Sequence, residues 1–495
     1  MNIFFSSRRL QAFALGVGAV LGFAPFGWFP FPVLALALLF YRWQHAPAPR
    51  IAARIGFAFG LGYFSAGIGW VYVAMHDYGH MPMLLALPVT LAFAGVLALF
   101  PALAGYAQAR LHVPLWARLT LLLPAVWVLA ELARGYALTG FPWLTVGYSQ
   151  AAESPLAGYA PLLGVYGVSL VVATSAGLLA WGWQGRAQRS GKLAMLSLAV
   201  LWLGGAVLRG VEWTQPHGAP IKAALLQGNI PQDAKFEEGR LIGTLELYRR
   251  LIEQTDAQLT ILPETALPLL RETLPPSYVE RLKAHARAHD GVVLAGLFER
   301  EGENYYNSVA AFGNGEEQFY RKNHLVPFGE FIPVRAVLGW LINEVLQIPM
   351  SDLARGGAKQ APIRTDGQRV AVDICYEDVF GEEIIRALPE ATLLANVTND
   401  AWYGESHAAM QHNQIAQMRA LETGRMMLRA TNTGVTSIIG KDGRIRAMLS
   451  QHTEGVLQGE VQGYSGMTPY ARWGNAAALL LALGMLAAAW RLRSR

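Results

Sequence analysis

The stretch "VAVDICYEDVF" (residues 370–380) holds the single cysteine of a 495-residue chain. Val370, Ala371, Val372 and Ile374 read as a short buried strand, with Asp373 breaking the apolar run. Cys375 stands where that strand ends, and Tyr376, Glu377 and Asp378 turn the chain acidic at once. In α/β folds, reacting groups gather at strand ends and in the loops that follow them. One thiol excludes any intrachain disulfide. In an oxidising compartment it is a liability that needs a chemical reason. Taken alone, a lone cysteine is more often a small buried hydrophobe.

The surroundings are α/β in pattern. Between residues 218 and 468, short β-rich runs occupy 221–227, 258–263, 291–298, 307–312, 369–374, 391–397 and 435–440. Helical patterns fill 237–255, 277–289, 380–387 and 407–424. Some runs are continuous and others pair like hairpins, so a mixed sheet covered by helices is expected.

Two further strand ends carry chemistry. "LTILPETALP" (259–268) places Glu264 just past a strand and a proline, and "FYRKNHLVPFGEFIP" (319–333) offers Lys322 and Glu330. Singly, each charge has a bland reading as a solvated surface group. Together they are a set: a carboxylate can take a thiol proton, sulfur can attack a carbonyl, and an ammonium can hold the resulting oxyanion. Lys322 should lower the Cys375 pKa and Glu264 should raise it.

The rest of the chain has another character. Hydrophobic residues make up 53% and charged residues 15%, with mean hydropathy +0.27, the balance of a membrane protein carrying a soluble part. Apolar stretches lie near 9–23, 28–42, 52–75, 82–108, 116–133, 160–183, 193–211 and 473–490. Each approaches the ~20 residues a helix needs to span the hydrocarbon, so about eight transmembrane helices are expected. The glycines of "GVGAVLG" (16–22) and "GLGYFSAGIGW" (60–70) sit inside apolar spans, where small residues let helices approach closely. Basic residues cluster in alternate loops: Arg8 and Arg9; Arg42, Arg50 and Arg54; Arg110 and Arg118; Arg186, Arg189 and Lys192; and Arg491, Arg493 and Arg495. The other loops are nearly free of them, with Arg134 the exception. Loop charge thus puts both termini in the cytoplasm and residues 218–468 outside. The net charge of +5 follows from this pattern and does not signal nucleic acid.

Pro-Glu-Thr after a strand, Lys-x-His-Leu-x-Pro-Phe-Gly-Glu, and an apolar strand ending Cys-Tyr-Glu-Asp resemble the Glu-Lys-Cys pattern of the nitrilase superfamily. With about seven spans before that domain and one after it, the chain resembles the apolipoprotein N-acyltransferase family over essentially its full length. The resemblance implies three parts: a transmembrane domain (1–217), an extracytoplasmic nitrilase-like αββα sandwich (218–468), and a final helix and tail (469–495). It implies Glu264 as general base, Lys322 as oxyanion-stabilising residue and Cys375 as nucleophile. Glu330, Tyr376 and Glu377 match further residues around the site. Leu262 and Phe236 replace tryptophans common at their positions. The implied setting is a bacterial inner membrane with the catalytic domain facing the periplasm. A membrane phospholipid would be the acyl donor and a diacylglyceryl-modified apolipoprotein the acceptor, with no cofactor and no metal.

Both substrates would live in a bilayer. The apolar stretch 331–350 reads either as a buried core helix or as an arm resting on lipid, with Trp340, Leu341 and Leu346 dipping in. His285 and His289, and His407 and His412, are spaced on predicted helices, but no H-E-x-x-H or cysteine pairing makes a metal site of them. Two other readings compete. A membrane-tethered amidase would release the acyl group to water. A transporter or lipid-binding scaffold would use ionisable residues within the spans, of which Glu131 and Arg134 are the candidates.

Overall fold

A computed structural model describes residues 7–186, 188–233, 235, 238–331, 352–365 and 367–493. These fall into two compact units, one of Met1–Tyr72, Pro82–Val211 and Arg472–Arg495, the other of Val73–Met81 and Glu212–Ala471. The short segment Val73–Met81, between two apolar stretches, thus groups with the α/β unit. Tyr78 meets Trp402 edge-on there, ring centroids 6.3 Å apart.

The α/β unit contains two six-stranded sheets where the strand pattern had led to one. The strands are β1 (Gln215–Gln227), β2 (Leu259–Ile261), β3 (Val292–Glu301), β4 (Asn304–Phe312), β5 (Gln318–Arg321), β6 (Ile363–Arg364), β7 (Arg369–Ile374), β8 (Leu393–Thr398), β9 (Met427–Thr431), β10 (Ser437–Ile439), β11 (Ile445–Met448) and β12 (Gly455–Ser465). The first sheet runs β12-β1-β2-β3-β4-β5 and the second β11-β10-β9-β8-β7-β6. Each has three parallel strands at its centre, β1-β2-β3 and β7-β8-β9, flanked by antiparallel neighbours. Parallel neighbours need crossovers. Helices Glu238–Glu253 and Pro276–Ala288 supply them in the first sheet, and Gly381–Ile384 and Ala408–Thr423 in the second.

Alternation along the strands builds the layers. Ala224 and Leu226 of β1 pack with Tyr248, Leu251, Leu282 and Ala286 from the helices over the first sheet. Ala371, Leu394 and Met427 pack with Ala416 and Ala420 of helix Ala408–Thr423 over the second. Thr431 of β9 donates to Gln227 of β1 at 3.4 Å, one sheet to the other. The result is the αββα sandwich.

In the helical unit, every one of the eight apolar stretches contains a helix. Met83–Ala109, Leu115–Tyr136, Pro155–Gln184 and Arg189–Leu208 are long and apolar enough to cross a membrane. Pro49–Gly67 and Val71–Tyr78, bent by 60°, make a fifth if taken as one span. Helices Ser7–Ala19, Pro30–Gln44 and Ala476–Arg491 have only 13, 15 and 16 residues. Among the described residues, four or five spans therefore stand on length and composition. Leu193, Leu196, Val200, Leu203 and Val207 all point outward from Arg189–Leu208, a stripe that suits lipid.

Close glycine packing joins the first and third helices. A Cβ at Gly16 would lie 2.0 Å from the Phe59 carbonyl oxygen, and one at Gly62 2.2 Å from that of Phe13. Arg134, the exception to the loop-charge pattern, is buried. Its guanidinium donates to the carbonyls of Phe141 and Trp143 and to Thr145 Oγ1. Glu131 Oε1 accepts the Val146 N–H at 2.9 Å. The two ionisable side chains tie the loop 141–146 to their helix and satisfy its backbone.

Candidate active site

Three strand ends converge. After β2, Pro263 turns the chain and Glu264 follows, with Thr265 at φ +46°. Gly296 of β3 makes room for this turn: a Cβ there would lie 2.4 Å from the Pro263 oxygen and 2.8 Å from the Glu264 Cα. Glu264 is buried. Its Oε1 accepts from Asn307 Nδ2 at 2.7 Å and from Lys322 Nζ at 3.3 Å, and its Oε2 from the Asn399 N–H at 2.9 Å. Lys322, immediately past β5, is 1% exposed. Its ammonium also donates to Glu330 Oε1 at 2.8 Å. Glu330 is fixed in turn by the Val326 N–H at 2.8 Å and Asn307 at 3.2 Å.

Cys375 follows β7 with φ +55°. A left-handed conformation costs a non-glycine residue about 1–2 kcal/mol, so surrounding structure must hold it. Glu377 does much of this. Its Oε2 accepts the Ile374 N–H at 2.7 Å and the Tyr320 hydroxyl at 2.9 Å. Its Oε1 accepts the N–H groups of Asn323 and His324 at 2.7 and 2.9 Å. One buried carboxylate thus pins the residue before the thiol to the residues just after Lys322.

The charges define a resting state. Burial and Glu264 push the Cys375 thiol well above its ordinary value, against the pull of Lys322. Burial also works against ionised Glu264, but Lys322 and Lys235 outweigh it and hold the carboxyl below its usual range. Burial disfavours the Lys322 ammonium, yet Glu264 and Glu330 hold its pKa well up. The proton therefore rests on sulfur, beside an ionised carboxylate and a fixed ammonium. Such a site delivers a nucleophile only as the base takes the proton.

Comparisons with known proteins fit both halves of the chain. Residues 15–178 match the apolipoprotein N-acyltransferase N-terminal domain and residues 222–470 the carbon-nitrogen hydrolase domain. An apolipoprotein N-acyltransferase of Nitrosomonas europaea is 50% identical over 99% of this chain and 98% of its own. Those of Chromobacterium violaceum and Methylococcus capsulatus are 43% and 42% identical over 98% of this chain, covering 95% and 96% of theirs. The chain belongs to the apolipoprotein N-acyltransferase family. It is an acyltransferase of the nitrilase superfamily.

Other expected residues fall less centrally. Tyr376 is buried against Phe380 and His324, ring centroids 5.3 and 6.0 Å away. Phe236, Trp340 and nearly all of 331–350 lie outside the described residues. The candidate site of the acyltransferase also includes residues the sequence did not single out. Asn307 bridges Glu264 and Glu330 from β4. Asn399, in "TNDAW" just after β8, sits at a strand end and could have been flagged on that ground. Lys235 carried no signal, yet its Nζ reaches the Glu264 carbonyl oxygen at 3.0 Å.

Beneath the cysteine lies a buried ionic cluster. His412 lies 2.9 Å from both Asp378 and Asp400, and Arg429 reaches the same carboxylates at 3.1 and 3.0 Å. His412 Nε2 is 3.3 Å from the Cys375 carbonyl oxygen, and Asn396 Nδ2 donates to that oxygen at 3.1 Å. Burial and Arg429 oppose the imidazolium, but the two aspartates raise its pKa to about 9. Burial disfavours ionised Asp400, while His412 and Arg429 bring its pKa down to about 2. His412 is thus part of an ion network. Among the described residues, no three His, Cys, Asp or Glu side chains gather as metal ligands.

Proposed function

We propose that this acyltransferase moves the sn-1 acyl chain of a membrane phospholipid to the α-amino group of an N-terminal S-diacylglyceryl-cysteine, through a thioester on Cys375. Glu264 takes the thiol proton as sulfur attacks the ester carbonyl, and Lys322 stabilises the oxyanion. Collapse expels the glycerol oxygen, which receives the proton from Glu264, and lysophospholipid leaves. The acceptor amine then attacks the thioester and gives a proton to Glu264. The sulfur departs and regains that proton, leaving an amide. The amide is far less reactive than the thioester, which makes the second step one-way. Glu330, Tyr376 and Glu377 shape the site, and Phe236 and Trp340 are assigned to substrate contact. The observation that carries the reading is the meeting of buried Glu264 and Lys322, 3.3 Å apart, with Cys375 tied by Glu377 to the residues just after Lys322, in a membrane-helical chain. Eight spans, both termini cytoplasmic and a periplasmic α/β unit in the inner membrane complete the proposal, supported by the alternating basic loops.

The test is acyl loading. With phospholipid alone, the full-length enzyme should gain one hydroxylamine-labile acyl chain on Cys375. A diacylglyceryl-peptide with a free amine should discharge it as amide, and an acetylated peptide should not. Glu264→Gln should block loading, and Lys322→Met should slow it on the order of 10²–10³-fold. Product made without any loading would replace the two-step scheme by direct transfer. Release of free fatty acid in place of amide would favour the hydrolase.

A further inference from the structure

The Glu264, Lys322 and Glu330 side chains bring two carboxylates to one ammonium, so the group lacks one positive charge. Lys235 is 2% exposed, and its Nζ is 3.0 Å from the Glu264 carbonyl oxygen. Both Glu264 and Cys375 act on it electrostatically. A buried lysine is costly unless its charge is used. We propose that Lys235 is a second cation of the reaction centre, a positioning residue whose charge offsets the second carboxylate, keeping Glu264 ionised at rest and stabilising the thiolate that forms at Cys375. With Lys235 counted, the group is neutral before transfer and neutral after it: the thiol becomes thiolate as the carboxylate becomes acid. Without it, the developing thiolate would join a site already carrying excess negative charge. Burial lowers the Lys235 pKa to about 8, opposed by Glu264 and Cys375. Lys322 acts on both of these partners, and Asp400 acts on Cys375 from the loop after β8. The Asp400 charge is met by His412 and Arg429.

This inference rests on the acyltransferase reading for the pairing of Cys375 with Glu264, but its test needs no acyl transfer. Cys375 is the sole cysteine, so alkylation of the full-length protein by iodoacetamide reports on it alone, with Cys375→Ala as the blank. Lys235→Gln keeps a hydrogen-bond donor for the Glu264 carbonyl and loses the charge. Lys235→Arg keeps both. The glutamine variant should alkylate about tenfold more slowly at pH 7.5, the effect of raising a thiol pKa by one unit. It should also move the acid limb of phospholipid loading to higher pH, because Glu264 loses a cation. The arginine variant should stay close to wild type. The wild-type alkylation rate should stop rising as steeply near pH 8, where Lys235 deprotonates, and the arginine variant should show no such bend. If glutamine matches wild type, or if both variants are slowed alike at unchanged thermal stability, Lys235 is a loop strap and the proposal fails. Should the glutamine variant not fold, the bend decides: its persistence in Lys235→Arg overturns the proposal. Normal alkylation shifts without any acyl loading would overturn the transferase reading and leave this inference standing.

Discussion

Cys375 owes its place in large part to the neighbouring carboxylate of Glu377. Glu377 accepts four donors from two segments, 320–324 and Ile374, and an amide cannot accept from all four. Glu377→Gln should therefore strand backbone N–H groups, costing about 2–3 kcal/mol, and should slow loading more than it lowers the unfolding midpoint would explain. His412 makes the pH-dependent contribution. Its folded pKa of about 9 lies above the unfolded ~6.5. The stabilisation is complete below pH ~6.5 and is lost as pH rises through 9, on the order of 3 kcal/mol in all. Thermal unfolding of the intact chain should fall across that window, and His412→Gln should flatten the slope. Glu264, Lys322 and Cys375 could be read from the sequence because each stands beside a strand end with a motif around it. Lys235, Asn307 and His412 could not, because their roles come from distant elements brought together by folding. The direction of the Cys375 shift was equally hidden: it depends on burial, which no local motif reports.

At the scale of elements, most central strands were legible, but β9, whose short run is broken by Arg429, and the sheet edges were not. The second half of β1, β2, most of β3, β7 and β8 are buried apolar runs. β5 and β6 are short and half-exposed or mixed, and β12 carries three glycines among polar residues. Without the edges, the division into two sheets could not be seen. The small residue that matters most is Gly296, which lets the Glu264 turn lie against β3. Gly296→Ala pushes a methyl group into backbone at 2.4–2.8 Å, so the turn must move. We expect at least a tenfold loss of loading, since a displacement near 1 Å can cost 10²-fold, with the sheet still folded by circular dichroism. Unchanged loading would mean that Glu264 tolerates displacement.

For the whole chain, two packing regimes coexist. The α/β unit is held by apolar layers, whereas the helical unit relies on close backbone approach at Gly16 and Gly62. Gly16→Leu or Gly62→Leu should lower the yield of folded protein in detergent and leave intact, in molecules that do fold, the alkylation rate of Cys375. Eight apolar stretches were legible, but only four or five of the described helices are long and apolar enough to cross a membrane, because helix length depends on where each helix starts and stops. Orientation makes its own prediction. In a Cys375→Ala background, a cysteine placed near Gly302 should label from outside intact spheroplasts and one near Arg186 should not. Equal labelling would reverse the loop-charge argument.

The protonated resting thiol has a consequence for durability. Peroxide and other oxidants attack thiolate far faster than thiol. No second cysteine exists to rescue a sulfenic acid by forming an internal disulfide. An acyl carrier in an oxidising compartment would therefore depend on an external thiol to recover from its first oxidation. In the proposed mechanism the proton leaves only when Glu264 takes it during attack, which would keep the sulfur in the form that oxidants attack slowly for most of its working life.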